Sequence, residues 1–395
     1  MSEKVVVAGV GMIPFSKPGA SPSYIEMGAD AVRLALKDAG IDYAKVQMAF
    51  AGYALGDTTC GQAVLYRVGR TGIPVFNVNN ACASGSSALY LARQAVQSGM
   101  VECALAVGFE QMYAGPTRTS FPDRPFPRAD VQPIQDELCA DAGEIPRNLI
   151  TFGGAGREHM QKYGTRMETF AAIRAKASRH AANNPLALFK KVVSTEDVMN
   201  DTLMWPGVMT RLMACPPTCG AAAAIICSES FAKRHGLRSD VAILAQSLRT
   251  DPVESFEPKS MISLVGFHMA KAAAEDVYEQ AGIGPQDIGA VELHDCFAHN
   301  ELLSYEALGL CPVGGAERFV LDGDNTYGGR VVTNPSGGLL SKGHPIGATG
   351  LAQCYELTHQ LRGTADKRQV DGLKVALQHN LGLGGACVVT LYGQN

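Results

Sequence analysis

Three short segments, far apart in the chain, each set a reactive side chain among small or glycine residues. They are Asn79-Asn80-Ala81-Cys82-Ala83-Ser84-Gly85-Ser86-Ser87, His294-Asp295-Cys296-Phe297 and Gly343-His344-Pro345-Ile346-Gly347-Ala348-Thr349-Gly350. Together they supply two thiols, Cys82 and Cys296, and two imidazoles, His294 and His344. Chemistry beside a thioester needs this set: a thiolate to hold an acyl group, a second thiol to move a proton, and imidazole N–H groups to hold negative charge on oxygen.

Each residue also has a plainer reading. Cys82 falls between an expected strand, Pro74 to Val78, and an expected helix, Ser84 to Gln97. A helix N-terminus favours a thiolate through its partial positive charge and free N–H groups. An isolated cysteine is ordinarily a buried structural one; the strand–Cys–small-residue helix pattern argues for a nucleophile. Glycines flank His344, and Pro345 is placed to open a helix, although a glycine-rich turn with an incidental imidazole has the same letters. His294, Cys296 and His299 have a zinc-like spacing. A metal site would need a second cluster, and the nearest, Cys215-Pro216-Pro217-Thr218-Cys219, has three intervening residues, so no metal is expected. His299 is expected to be a structural histidine one turn into a helix. The run Asn380-Leu381-Gly382-Leu383-Gly384-Gly385 lacks the Gly-Lys-Ser/Thr ending of a nucleotide loop and sits between two strands. Backbone N–H groups aimed at an oxyanion fit it better.

The elements that must carry these groups alternate between apolar strand-like runs and helical stretches, which indicates a layered α/β fold. Strand Val5 to Gly9, helix Ile25 to Ala39 ending at Gly40 and strand Lys45 to Tyr53 are echoed later. The echo runs through strand Val241 to Ala245, helix Met269 to Ala281 ending at Gly282, and strand Ile288 to His294. The Cys82 helix and strand Cys103 to Phe109 are matched by the His344 helix and Lys374 to His379. Four elements in one order predict a duplication, with corresponding helix N-termini meeting at a pseudo-twofold axis. The expected division is a first half over 1–112 that resumes at 214–238, and a second half over 239–395. An inserted domain over 113–213 covers the cleft; it begins with Pro116-Thr117-Arg118 and contains helices Arg147 to Tyr163 and Met167 to Asn183. The first half resumes with strand Ala221 to Cys227 and helix Glu229 to His235.

Bulk properties narrow the function further. The 395 residues are 46% hydrophobic and 18% charged, enough for a large core. A net charge of −4 without a long basic run argues against nucleic acid and anionic membrane as partners. The longest apolar stretch, Ala221 to Cys227, is far below the roughly 18 residues of a membrane span. Eleven cysteines, an odd number set mostly in apolar runs, fit a reducing compartment rather than a disulfide framework. MSEKVVVAGVG enters a strand at once, with no expected signal peptide, and Tyr392-Gly393-Gln394-Asn395 is not a peroxisomal address, so a cytoplasmic setting is expected.

These segments resemble the thiolase superfamily, and specifically the sterol carrier protein 2 thiolases. Other thiolases carry Asn-Glu-Ala-Phe where this chain has His294-Asp295-Cys296-Phe297, and place their acid/base cysteine in a late Cys-x-Gly motif, where this chain has Asn380. Cys296 stands in for that cysteine, which is the mark of the sterol carrier protein type. The likeness extends through Phe152-Gly153-Gly154-Ala155-Gly156, Asn183-Asn184-Pro185, Tyr305 to Pro312 and Gly323 to Gly329. The chain departs from the pattern at Ala81-Cys82-Ala83-Ser84-Gly85, where relatives often have Asn-Cys-Ser-Thr-Gly, and at Cys219, where an aspartate is usual.

The resemblance implies a duplicated five-layered αβαβα thiolase fold and CoA-dependent cleavage of 3-oxoacyl-CoA, or its reversal, through acyl-Cys82. It implies Cys296 as acid/base, and His344 as the group that promotes the Cys82 thiolate and donates to the thioester oxygen. His294 would complete that first oxyanion hole, and the backbone N–H groups of Cys82 and Gly382 would form a second. CoA enters as substrate, with no tightly bound cofactor, and Arg157, Lys162, Arg166 and Arg211 are candidate cations for it. A homodimer or dimer of dimers and a lipid-transfer partner are further implications. A β-ketoacyl synthase, which needs no second thiol, and an inactive thiolase-like lipid-binding protein are the alternatives.

Overall fold

The computed structural model describes residues 3–115, 121–257 and 259–395; Pro116, Thr117 and Arg118 lie outside the described residues. Its main sheet contains β1 (Val5–Met12), β2 (Met48–Gly52), β3 (Val75–Val78) and β4 (Cys103–Glu110), followed by β7 (Gly220–Ser228) and β8 (Val241–Arg249). It continues with β9 (Ala290–Glu292), β10 (Val332–Thr333), β11 (Val375–Gly382) and β12 (Ala386–Gln394). A separate two-stranded sheet pairs β5 (Leu203–Trp205) with β6 (Met209–Thr210). The main helices are α1 (Tyr24–Ala39), α2 (Cys60–Leu65), α3 (Ser84–Gln97), α4 (Arg147–Tyr163), α5 (Met167–Ala181), α6 (Glu229–His235), α7 (Phe267–Ala281), α8 (Ala298–Ala307) and α9 (Thr349–Leu361).

The strands lie in the order β10-β9-β11-β12-β8-β1-β7-β4-β2-β3. Read outward from the centre, β1-β7-β4-β2-β3 and β8-β12-β11-β9-β10 are the same five-strand pattern twice. The two patterns meet at one bridged pair, Val6 with Ala242. The period of two along β1 decides which layer each residue serves. Val5, Val7, Val10 and Met12 enter a core shared with α3, α9 and residues of both five-strand units. Val6 and Ala8 face the opposite way, onto α1, α2 and α6. The outer face of β11 and β12 packs on α7 and α8 and on the inserted α5. Helices α3 and α9 thus form a middle layer between the two units, completing an α/β architecture of five layers.

Helix ends follow local chemistry. Ser23 accepts the Glu26 N–H at the start of α1, and Gly40 ends it with φ +69°, where a side chain would strain the backbone. Pro345 does not open α9 as its sequence position implied. Its carbonyl instead receives the N–H groups of Ala348 and Thr349, closing a turn before the helix begins at Thr349. Among the described residues, no helix is long and apolar enough to cross a membrane.

Candidate active site

The middle layer sets the site because small residues let its two helices approach end to end. A Cβ on Gly350 of α9 would lie 2.1 Å from Ser86 Oγ of α3, and one on Gly85 would lie 2.4 Å from Gly347 O. Only glycine at these positions allows the loop before each helix to reach the other. Ala81, just before Cys82, holds φ +47°, unusual for a residue with a side chain. The loop is fixed in that shape by Ser84 Oγ, which accepts from Asn80 N–H and donates to Ala81 O.

His294 and Cys296 follow the end of β9, and Asn380 lies within the neighbouring β11. The segment ahead of β7 ties the remaining loops to them. Ala214 bridges Phe297, Cys215 N–H donates to Cys296 O over 2.9 Å, and Thr218 Oγ1 receives His344 N–H over 3.1 Å. As a result, Cys82 sulfur and a ring nitrogen of each of His294 and His344 lie within 4.8 Å of one another. The two imidazoles meet edge to face, centroids 5.1 Å apart. Cys296 lines the same cavity of about 650 Å³, where burial first and then the neighbouring Cys215 and Cys82 raise its thiol.

Hydrogen-bond partners assign the protons. Thr349 Oγ1 donates to Pro345 O at 2.9 Å and so accepts from His344 Nδ1–H at 2.7 Å. That leaves the His344 Nε2 lone pair, which has no partner among the described residues, as a base. His294 is set the other way. Gln378 Nε2 donates to Ser86 Oγ, and the Ser86 hydroxyl donates to Asn380 Oδ1 at 2.7 Å. Asn380 Nδ2 therefore faces His294 Nδ1 at 3.1 Å and donates to it. His294 then carries its proton on Nε2, as a donor. One imidazole is poised to take a proton and its neighbour to stabilise an oxyanion.

Burial sets the charge states. It holds His294 well below its ordinary range and His344 down at about 3, so both rings are neutral. Burial and then the nearby Glu110 push the Cys82 thiol up to about 12, against the pull of the Cys82 and Leu383 backbone N–H groups. The Cys82 thiol is thus held neutral beside a neutral base, burial outweighing the pull of the helix end toward the thiolate. Burial likewise drives the Cys296 thiol well above 9. Glu110 is itself raised to about 7 by burial, while accepting the N–H groups of Ala54, Leu55 and Gly347.

Beside the expected Gly382, the backbone N–H of its neighbour Leu383 also reaches the Cys82 sulfur. Gly382 belongs to β11 and passes so close to the nucleophile loop that a Cβ would lie 2.1 Å from Asn80 O. Among the proposed CoA cations, Arg211 lines the cavity. Arg157 is instead bound to Asp141 and Leu138 O, Arg166 is bound to Glu317, and Lys162 lies over Tyr163. Arg147 and Arg174 line the cavity and had no motif to mark them, and Cys215, weighed from sequence only as a metal-type ligand, lines it too. His299 sits away from the cluster, its Nε2 on Val208 O, and Cys219 donates to Met112 O. Among the described residues, the metal-type ligands that do converge are Cys82, His294 and His344.

Comparison with known proteins agrees with this fold. Residues 5–230 match the thiolase N-terminal domain and residues 253–392 the thiolase C-terminal domain-like family. The chain is 53% identical over 394 residues to sterol carrier protein 2 of Oryctolagus cuniculus, covering 98% of this chain and 72% of that one. Among solved structures, an Ltp2-ChsH2(DUF35) aldolase superposes with a TM-score of 0.84 at 23% identity, covering 100% of this chain and 98% of that one. Human mitochondrial 3-ketoacyl-CoA thiolase superposes with a TM-score of 0.73 at 18% identity, covering 100% and 99%.

Proposed function

Because the chain belongs to the thiolase family, in the branch that includes sterol carrier protein 2, we propose that it cleaves 3-oxoacyl-CoA with CoA, or runs the reverse condensation, through an acyl-Cys82 intermediate. The observation that carries this reading is the pair of opposed imidazole tautomers beside one thiol, with a second thiol lining the same cavity. His344 Nε2 takes the Cys82 proton as sulfur adds to the 3-keto carbon. The N–H groups of Cys82 and Leu383, which face that sulfur, support the oxyanion. Collapse breaks the C2–C3 bond and leaves an acyl group on Cys82 and a thioester enolate. His294 Nε2–H and the new His344 Nε2–H hold the enolate oxygen, and Cys296 delivers its proton to C2. CoA then gives its thiol proton to Cys296 and attacks the acyl group. The released Cys82 thiolate recovers its proton from His344, which restores both thiols and both rings. Each oxyanion donor of this kind is worth about 100- to 1000-fold in rate.

The cavity walls fit this use. Residues 113–213 supply Arg147, Leu149, Phe152 and Arg211, which supports reading that segment as a cover over bound CoA. Among the described residues the outer edge of β3 has no strand partner, and Phe76 on it is 49% exposed, which supports assembly as at least a homodimer. Brief incubation with acetoacetyl-CoA followed by peptide mass mapping tests the reading. The acyl group is expected on Cys82, and modification at Cys296 instead would reverse the assigned roles.

A further inference from the structure

Arg174, on the inserted α5, lines the catalytic cavity yet is only 3% exposed. Among the described residues its one hydrogen bond runs from Nη1 to Ser341 Oγ, over 2.8 Å. Lys176 pairs with Glu301, Lys342 with Glu292 and Arg368 with Glu356, whereas Arg93, which has no ion pair among the described residues, does not line the cavity. Among the described residues, no carboxylate lies within ion-pairing distance of Arg174. The two acids nearest in its field, Asp295 and Asp201, are already committed. Asp295 accepts the N–H groups of Leu339 and Leu340, at 2.7 and 3.2 Å. Asp201 accepts from Arg211 at 2.7 Å and from Leu212 N–H at 3.0 Å. Burial lowers the guanidinium only to about 10, so it remains a cation at neutral pH.

A buried guanidinium with most of its donors unspent, facing a cavity, is a receptor for an anion. Depth decides which part of the ligand brings that anion. Arg147 and Arg211, paired with Asp136 and Asp201, line the same cavity with side chains 49% and 65% exposed, where the phosphates of CoA can stay hydrated. Arg174 lies deeper, against Ser341 and in the field of Asp295, the residue between His294 and Cys296. Apolar side chains including Phe152, Leu340 and Phe297 line the rest of the cavity, which suits an alkyl segment.

We propose that Arg174 is a specificity residue that pairs with a carboxylate on the acyl chain, so that the substrate class is the ω-carboxy (dicarboxylic) 3-oxoacyl-CoA. This rests on the thiolase reading of the site and adds the acyl group to it. The test measures equilibrium binding in a Cys82→Ala background, so that no acyl transfer occurs, with matched thioesters: adipoyl- against hexanoyl-CoA, suberoyl- against octanoyl-CoA, and sebacoyl- against decanoyl-CoA. At least one dicarboxylic member should bind about 10- to 100-fold tighter than its uncharged match. Adding Arg174→Met should erase that ratio, and Arg174→Lys should keep part of it. No preference in any pair overturns the proposal and needs no Arg174 variant to show it. A loss of affinity in Arg174→Met that is equal for free CoA and for every thioester also overturns it, since Arg174 would then hold a CoA phosphate. Cleavage of acetoacetyl-CoA by the unmodified chain is scored separately: if that fails while the carboxylate preference stands, the activity is wrong and the anion site is right.

Discussion

Replacing Thr349 by valine keeps the shape of the side chain and removes the acceptor for His344 Nδ1–H. Thr349 is 1% exposed, so no water is at hand to replace the lost hydroxyl. A buried N–H without a partner costs about 1–3 kcal/mol. The ring avoids that cost by moving its proton to Nε2, which turns the base facing the cavity into a donor. The competent tautomer then falls by about 5- to 140-fold, because each 1.4 kcal/mol is a factor of ten. Acylation of Cys82 needs that lone pair, so the single-turnover acylation rate with acetoacetyl-CoA should fall by the same factor. Thr349→Ser keeps the oxygen and should retain most of the rate. Histidine 15N NMR reads the tautomer directly, with Nδ1–H expected at His344 in the unmodified protein and Nε2–H in Thr349→Val. Acylation in Thr349→Val within twofold of the parent, or an Nε2–H signal at His344 in the parent, would refute the assignment.

Cys82→Ala should abolish acyl-enzyme formation, whereas Cys296→Ala should still acylate slowly from a good donor and fail at enolate protonation; equal loss of acylation in both would contradict the division of roles. Alkylation of Cys82 by iodoacetamide should rise about tenfold per pH unit from pH 7 to 10, since the thiol sits near 12 and stays protonated below that; a plateau at neutral pH would show a resting thiolate. Gly350→Ala, whose Cβ would fall 2.1 Å from Ser86 Oγ and 2.8 Å from Asn380 Oδ1, should lose about 1–3 kcal/mol of stability in denaturant melts and also lose activity. Light scattering should give a mass of at least twice 41.8 kDa at micromolar concentration.

Much of the scaffold was legible because strong local signals and tertiary packing agree. Helices Ser84–Gln97, Arg147–Tyr163 and Glu229–His235 occupy the spans that periodicity and end residues imply. Strands were placed with looser ends: Lys45 belongs to a short 3-10 turn before β2, and His294 stands two residues beyond β9. Letters alone could also nominate Cys82, His294, Cys296 and His344, each being a reactive group in a small-residue setting. They could not reveal what controls those groups. The Asn380 orientation depends on Ser86, 294 positions earlier in the chain, and the acidity of Cys82 depends on how dry its pocket is. Arg174 reads as one more cation on an amphipathic helix until the fold turns it inward.

The duplication explains why these controls are so distant in sequence. The Cys82 loop and Ser86 belong to the first five-strand unit, while His294, Gln378 and Asn380 belong to the second. The relay that orients Asn380 crosses between the units: Tyr392 OH donates to Gln378 Oε1, Gln378 to Ser86, and Ser86 back to Asn380. Neither unit alone can assign the His294 proton, because the hydroxyl that fixes the Asn380 amide comes from the other. The glycine contact between Gly350 and Ser86 lies at the same crossing, so the packing that joins the units also sets the tautomer. A substitution that loosens this junction should therefore slow catalysis before it unfolds the chain: the proton on His294 is decided by one 2.7 Å hydrogen bond, whereas the fold is held by three extensive apolar cores.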